Sequence, residues 1–233
     1  MKETKNACDL TNCYLCTHCT KDWIPAIAAH KKNFLIKKGQ RIFNEGDAVT
    51  GIYFIYSGKV KIHKRWDDDK EIIIRFAKTG DVLGHLGLGN EPIYPVSTTA
   101  IEPTIVCFID LSFFESSLQV NPKLTYSLMK FFANELQESE KRMRNLVHMP
   151  VKERIALALL TLKKQFGVTE TGALNIELTR QDLSSFAAVS YETLFKVTND
   201  FIQNNWIELS GKTIRIFNEP LLKEMTVDIK ANK

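Results

Sequence analysis

From about residue 34 to 110, apolar and polar positions alternate in short runs separated by turn residues. GIYFIYSGKVKIHKRW alternates on both sides of Ser57-Gly58, which predicts a hairpin about that pair. In DDDKEIIIRFAKTGDVLG, Asp67–Asp69 predict a polar turn, Ile72–Ile74 with Phe76 a buried strand, and Gly80-Asp81 another turn. STTAIEPTIVCFID follows, and the run closes at Leu111. Many short strands at this spacing predict a β-sandwich or barrel.

The period then changes. Across residues 121–149, Leu124, Leu128, Phe131, Phe132, Leu136, Met143, Leu146 and Val147 fall at helical spacing, with charges on the other face. Asn121 before Pro122 is a cap followed by proline at the first helical position. A helix this long either links domains or pairs with its own copy, and Leu124, Leu128, Phe132, Leu136 and Met143 are its candidate pairing residues. Pro150 breaks it, and VKERIALALLTLKKQFG starts a second amphipathic helix that ends at Gly167. A short strand is expected at Ile176–Leu178, and a domain boundary near Met149–Pro150.

LTRQDLSSFAAVSYETLFKVTNDFIQNNWIELSGKTIRIFN, residues 178–218, carries the most specific pattern. Thr179 with Asp182 three residues on reads as a capping box. Leu183, Phe186 and Ala187 form one inner face, Val189 sits in a short turn, and Ser190 caps a second helix. There Leu194, Val197, Phe201 and Ile202 point inward, leaving Tyr191, Glu192, Phe195, Lys196 and Asn199 outside. This is a helix–turn–helix whose outward residues are placed to read base edges. Thr179, Arg180, Ser190 and Thr193 complete the expected DNA face, with Lys212 in a two-stranded wing turning at Ser210-Gly211.

Bulk charge does not carry that reading. The 233-residue chain has a formal net charge of +4, and residues 149–233 hold eleven Lys/Arg against ten Asp/Glu. No run of about eighteen apolar residues spans a membrane. MKETKNACDL lacks the apolar core of a signal peptide, so a cytoplasmic location is expected. In that reducing compartment the cluster CDLTNCYLCTHCT points to metal or redox chemistry rather than disulfides. Zinc on three or four of Cys8, Cys13, Cys16, His18 and Cys19, an iron–sulfur cluster, and bare thiols all accommodate that spacing. No βαβ pattern surrounds the C-x2-C pair and no Ser/His/Asp arrangement appears, which argues against an enzyme.

In this order, an α+β chain with a β-roll, a long helix and a winged helix–turn–helix resembles the CRP/FNR family of bacterial transcription regulators over roughly residues 23–222. IFNEGDAVTGIYFIYSGKVKI, TGDVLGHLGLG and LTRQDLSSFAAVSYETLFK carry the resemblance. It implies a cysteine-rich tail over 1–22, a cyclic-nucleotide-binding-like sensor domain over 23–120, a dimerisation helix over 121–149 and a DNA-binding domain over 150–233. It also implies a homodimer on a two-fold-related operator in double-stranded DNA, with RNA polymerase as a partner. Glu192 then matches an acceptor for cytosine N4, and Lys196 stands where an arginine commonly forks onto guanine. Phe195 replaces a small residue and is placed to meet a thymine methyl. Ala188 stands where glycine often makes the turn.

Cyclic-nucleotide-binding members hold the ribose with a glutamate where this chain has His85, in Gly84-His85-Leu86-Gly87. Their phosphate-clamping arginine has no counterpart between Arg75 and Arg142. The resemblance therefore implies a vestigial effector pocket at Gly84, His85, Leu86, Ser97 and Thr98, with His85 partly exposed and cyclic AMP disfavoured. The oxygen-sensing branch instead holds a [4Fe–4S] cluster on N-terminal cysteines and one β-roll cysteine, and Cys107 stands at that distant position. Cys13-x2-Cys16 matches the branch, whereas Cys19 follows after two residues rather than five. The implied ligands are Cys13, Cys16, Cys19 and Cys107, with Cys8 and His18 as alternates.

Overall fold

The computed structural model describes residues 1–4, 8–11, 13–65, 67 and 71–226, which form two compact units, Met1–Gln137 and Glu138–Lys233. In the first unit, β1 (Lys2–Glu3), α1 (Tyr14–His18) and α2 (Ile24–His30) precede the sheets. The strands are β2 (Lys32–Ile36), β3 (Arg41–Phe43), β4 (Gly51–Ser57), β5 (Lys59–Arg65), β6 (Glu71–Lys78), β7 (Val82–Leu83), β8 (Ser97–Ala100) and β9 (Thr104–Asp110). They pair antiparallel into two sheets, ordered β1-β2-β9-β4-β7 and β3-β8-β5-β6. Ile36, Ile55, Val60, Ile62 and Val106 pack between them as one core.

The expected hairpin at Ser57-Gly58 is a crossover instead. Strand β4 pairs with β7 and β9, while β5 pairs with β6 and β8, so the turn carries the chain from one sheet to the other. Alternation reports which residues face inward, not which strand lies alongside. Gly58 has φ +100°, and a Cβ there would lie 2.4 Å from the Thr104 hydroxyl, so glycine is required. Of the expected Asp67–Asp69 turn, Asp68 and Asp69 lie outside the described residues.

Asp110 caps α3 (Leu111–Val120), its carboxylate accepting from the Phe113 amide at 3.0 Å. Asn121 ends α3, and α4 (Pro122–His148) follows for 27 residues. The expected pairing residues divide. Leu136 and Met143 are exposed, together with Tyr126, Met129 and Val147. Leu124 and Leu128 are buried and Phe132 is partly buried, all packed in the unit's own core. These three belong to the other face of α4, where α1 and α3 already cover them.

The second unit continues with α5 (Val151–Phe166), α6 (Arg180–Ala187), α7 (Tyr191–Gln203), β10 (Ile207–Ser210), β11 (Thr213–Ile216) and α8 (Glu219–Thr226). The contact boundary falls within α4, not at Pro150, because its last turns bond into this unit: Arg142 donates to the Phe186 carbonyl and Arg154 to that of Leu146. The strand expected at Ile176–Leu178 does not form. Ile176 and Leu178 are buried, but the bridge to β11 is made earlier, by Ala173 and Leu174, whose amide reaches the Ile214 carbonyl at 2.8 Å.

Candidate DNA interface and cysteine site

Local chemistry fixes the two helices of the reading head. The Asp182 amide donates to the Thr179 hydroxyl at 3.0 Å and the Asp182 carboxylate accepts from the Thr179 amide, closing the capping box of α6. Ala188 (φ 53°, ψ 50°) ends α6 in the left-handed region. The Ser190 hydroxyl accepts from the Thr193 amide at 3.2 Å and starts α7. Leu194 and Phe201 anchor α7 inward. Thr198, whose hydroxyl returns to the Leu194 carbonyl at 2.8 Å, joins them, a buried polar position that apolar periodicity does not reveal.

The opposite face is largely exposed. Tyr191, Glu192 and Lys196 are exposed, Phe195 is 52% exposed, and Thr193 and Asn199 are half-buried. At the start of α7, backbone hydrogen bonding first, then the Ser190 hydroxyl and nearby Lys196, hold the Glu192 carboxyl below its ordinary range. Thr179, Ser190 and wing-tip Lys212 are exposed, and Arg180 is half-buried. Charge, acceptor and aromatic surface are thus gathered on the first turns of one helix.

The second site lies in the first unit. Cys8, Cys13, Cys16, Cys19 and Cys107 are all buried and none is in a disulfide. The α1 helix seats the tail: Cys13 caps it, the Cys13 sulfur accepting from the Cys16 amide at 3.4 Å, and Leu15 fills the core beside Leu124 and Leu128. The Cys13 thiol donates to the Cys16 sulfur at 3.2 Å. The neighbouring thiols of Cys107 and then Cys13 draw Cys8 below its ordinary range, despite burial. The proton donors move oppositely, Cys13 raised by Cys16 and Cys8, Cys107 raised by Cys8 and burial. The Cys13 bond likewise lowers Cys16.

Cys13, Cys16 and Cys107 thus lie in one buried core, and Cys8 is near enough to perturb Cys13 and Cys107. Lys31 adds positive potential, its ammonium donating to the Cys8 carbonyl at 2.7 Å. Cys19 packs in the same core, where burial first and then nearby Cys16 raise its thiol to about 12. His18 turns away, its Nδ1 2.8 Å from the Tyr14 carbonyl and its ring stacked on Tyr14. Among the described residues no group of three or more His, Cys, Asp or Glu stands in the geometry of a bound metal ion.

The effector pocket is nearly filled. Phe43, Ile62, Arg75, His85, Tyr94 and Thr98 help line a cavity of about 10 Å³. The Tyr94 ring stacks on Phe43 at 4.1 Å and its hydroxyl donates to the Gly51 carbonyl at 2.7 Å. His85, expected to be partly exposed, is only 2% exposed, because Phe131 and Phe132 of α4 close edge-on over its ring. Burial first of all pushes its pKa down. Thr98 and Ser97 are buried, the Ser97 hydroxyl accepting from the Glu45 amide at 2.9 Å. Gly84 takes φ +85° and Leu86 is exposed.

The chain matches the cyclic nucleotide-binding domain over residues 34–121 and the Crp-like helix-turn-helix domain over residues 153–225. It is 30% identical to the "CRP-like cAMP-activated global transcriptional regulator" of Mycobacterium tuberculosis, over 77% of this chain and 81% of that protein. It is 30% identical to the "Anaerobic regulatory protein" of Bacillus subtilis, over 77% of each. Identity to "Transcriptional activator protein FnrA" of Stutzerimonas stutzeri is 27%, over 81% of this chain and 78% of that one. In fold it resembles FixK2 from Bradyrhizobium japonicum, with a TM-score of 0.75 and 23% identity over 85% of this chain and 98% of that one. The matched proteins are regulators rather than enzymes. Among the described residues no helix is long and apolar enough to cross a membrane.

Proposed function

The chain belongs to the CRP/FNR family of DNA-binding transcription regulators, and we propose that it is a homodimer whose operator affinity is set by an iron–sulfur cluster on Cys8, Cys13, Cys16 and Cys107. The observation that carries this reading is the burial of Cys107 in one core with tail cysteines Cys13 and Cys16, from across 91 residues of chain. A small buried hydrophobe would account for Cys107 alone, but not for its burial in one core with Cys13 and Cys16 and its mutual perturbation with Cys8. The donor set suits the group in kind: buried, unoxidised soft thiols, with the Lys31 ammonium 2.7 Å from the Cys8 carbonyl to offset negative charge. Such a cluster supplies sensitivity to oxygen and redox state.

The ligand set is one residue away from the family-implied one, Cys8 taking the role expected of Cys19. A cyclic nucleotide is a poor fit, since a cavity of about 10 Å³ admits about one water molecule. At the other end, Glu192 accepts from cytosine, Lys196 donates to guanine, and Tyr191 with Phe195 adds apolar contact to thymine methyls. RNA polymerase is the partner at the promoter.

The test is footprinting on the promoter region of the protein's own gene, with anaerobically reconstituted and air-exposed protein compared. A protected two-fold site whose affinity falls on air exposure is expected. Equal protection in both states overturns the sensing role, and no protected site overturns the operator reading. Zinc in place of iron, with unchanged affinity in air, is the outcome that assigns the thiols to a structural site.

A further inference from the structure

The cysteine tail is bolted to the start of α4 by one buried amide. Asn121 stands between α3 and α4 and is fully buried. Its Nδ2 donates to the Ser117 carbonyl at 2.9 Å, which is enough to finish α3. Its Oδ1 does something a helix end does not need. It accepts from both the amide and the hydroxyl of Thr20, at 2.9 and 3.0 Å, and Thr20 directly follows Cys19. Beside it the Trp23 indole donates to the Ser117 hydroxyl at 3.0 Å. The backbone carbonyl of Asn121 in turn accepts from the Thr125 amide in the first turn of α4, at 3.1 Å.

We infer that Thr20 and Asn121 are positioning residues that transmit the state of the cysteine site to the N-terminal turns of α4. The inference rests on the sensing role proposed above. If the tail shifts when its sulfurs change partners, Thr20 moves with it, and Asn121 must follow or leave a buried carbonyl oxygen unpaired. Asn121 is also the residue on which the first turn of α4 is built, so the displacement enters the helix that carries the exposed pairing face.

Proline at position 20 isolates this link. Thr20 has φ −66°, ψ 149° and Cys19 φ −77°, ψ 157°, both compatible with a proline and the residue before it. Thr20→Pro removes both donors to Asn121 while leaving the cysteines and the Asn121–Ser117 bond in place. Amide hydrogen exchange is measured over residues 123–128 of the full chain, iron-free, with the cysteines free or S-methylthiolated by methyl methanethiolsulfonate. In the unsubstituted chain, thiol blocking is expected to speed exchange there about tenfold, the equivalent of one net hydrogen bond. In Thr20→Pro exchange is already fast and blocking adds less than about twofold, the non-additivity of two steps on one route. Thr20→Ser, which keeps both donors, restores the response.

Equal responses in the unsubstituted chain and Thr20→Pro, or none in either, overturn the inference, the first by assigning transmission to apolar packing. If blocking unfolds the chain by circular dichroism, Cys16→Ser replaces it in the same cycle. Iron and sulfide uptake is measured separately. A chain that takes up no iron sinks the cluster reading, while the exchange cycle still decides the clamp.

Discussion

Replacing Leu136 by alanine tests the proposed pairing through the exposed face of α4 separately from its buried face. Leu136 is 62% exposed in one chain, whereas Leu124 is fully buried against the cysteine core. Alanine removes three carbons, worth about 0.8 kcal/mol each when taken from water into an apolar contact. Scaled by the 62% of the residue still to be covered, the loss is about 1.5 kcal/mol per protomer. A two-fold interface counts it twice, so the dimer weakens by about 3 kcal/mol, roughly 150-fold in dissociation constant. The stability of the first unit should hardly change, because in the monomer Leu136 gains little from burial. Leu124→Ala should do the reverse, costing about 3–5 kcal/mol of unfolding free energy through a core cavity. Sedimentation equilibrium gives the dissociation constant and urea denaturation the stability. A Leu136→Ala dimer as tight as the unsubstituted one, or a Leu124→Ala chain of full stability, refutes the division of faces.

Three further outcomes follow from single residues. Ala188→Gly relieves a left-handed alanine, worth about 1–2 kcal/mol, against a glycine entropy cost of about 0.5–1 kcal/mol, so the reading head should gain about 0.5–1 kcal/mol in hydrogen-exchange stability with operator affinity unchanged. Lys196→Arg gains a bidentate fork and should sharpen preference for guanine at one base pair by about 1–3 kcal/mol in competition binding; a shift spread evenly over all positions refutes base contact. In the β-roll, His63 first and then Lys61 hold Glu71 down at about 2, with the His63 Nδ1 2.8 Å from its carboxylate. Because the folded pKa lies below the ordinary one, that stability is present above about pH 4.5 and is lost as pH falls toward 2. Acid titration of Glu71→Gln should show a shallower loss over the same window.

The two helices of the reading head were legible in outline because their signals are local, although buried Thr198 was not. Thr179/Asp182 and Ser190 cap helices through bonds spanning three residues, and Leu194 and Phe201 repeat at helical period. The β-roll was legible as strands but not as pairings, since Gly58 looks the same in a hairpin and in a crossover between sheets. Along α4, spacing located the apolar positions without revealing that α1 and α3 cover Leu124 and Leu128 while Leu136 and Met143 stay open. His85 was misplaced for a related reason: two phenylalanines 46 and 47 residues later bury it. The cysteine set depended on long-range packing as well. Spacing along the tail could not show that Cys13, Cys16 and Cys19 share a core with Cys107, or that Cys8, its carbonyl bonded to Lys31, lies near enough to perturb Cys107.

Iron and acid-labile sulfide in anaerobically reconstituted Cys8→Ala and Cys19→Ala chains, set against the unsubstituted chain, test the central claim most directly. The account expects four irons and four sulfides per chain to be held by the unsubstituted chain and by Cys19→Ala, as a [4Fe–4S] cluster requires, and to be lost from Cys8→Ala. A cluster retained in Cys8→Ala and lost in Cys19→Ala contradicts it.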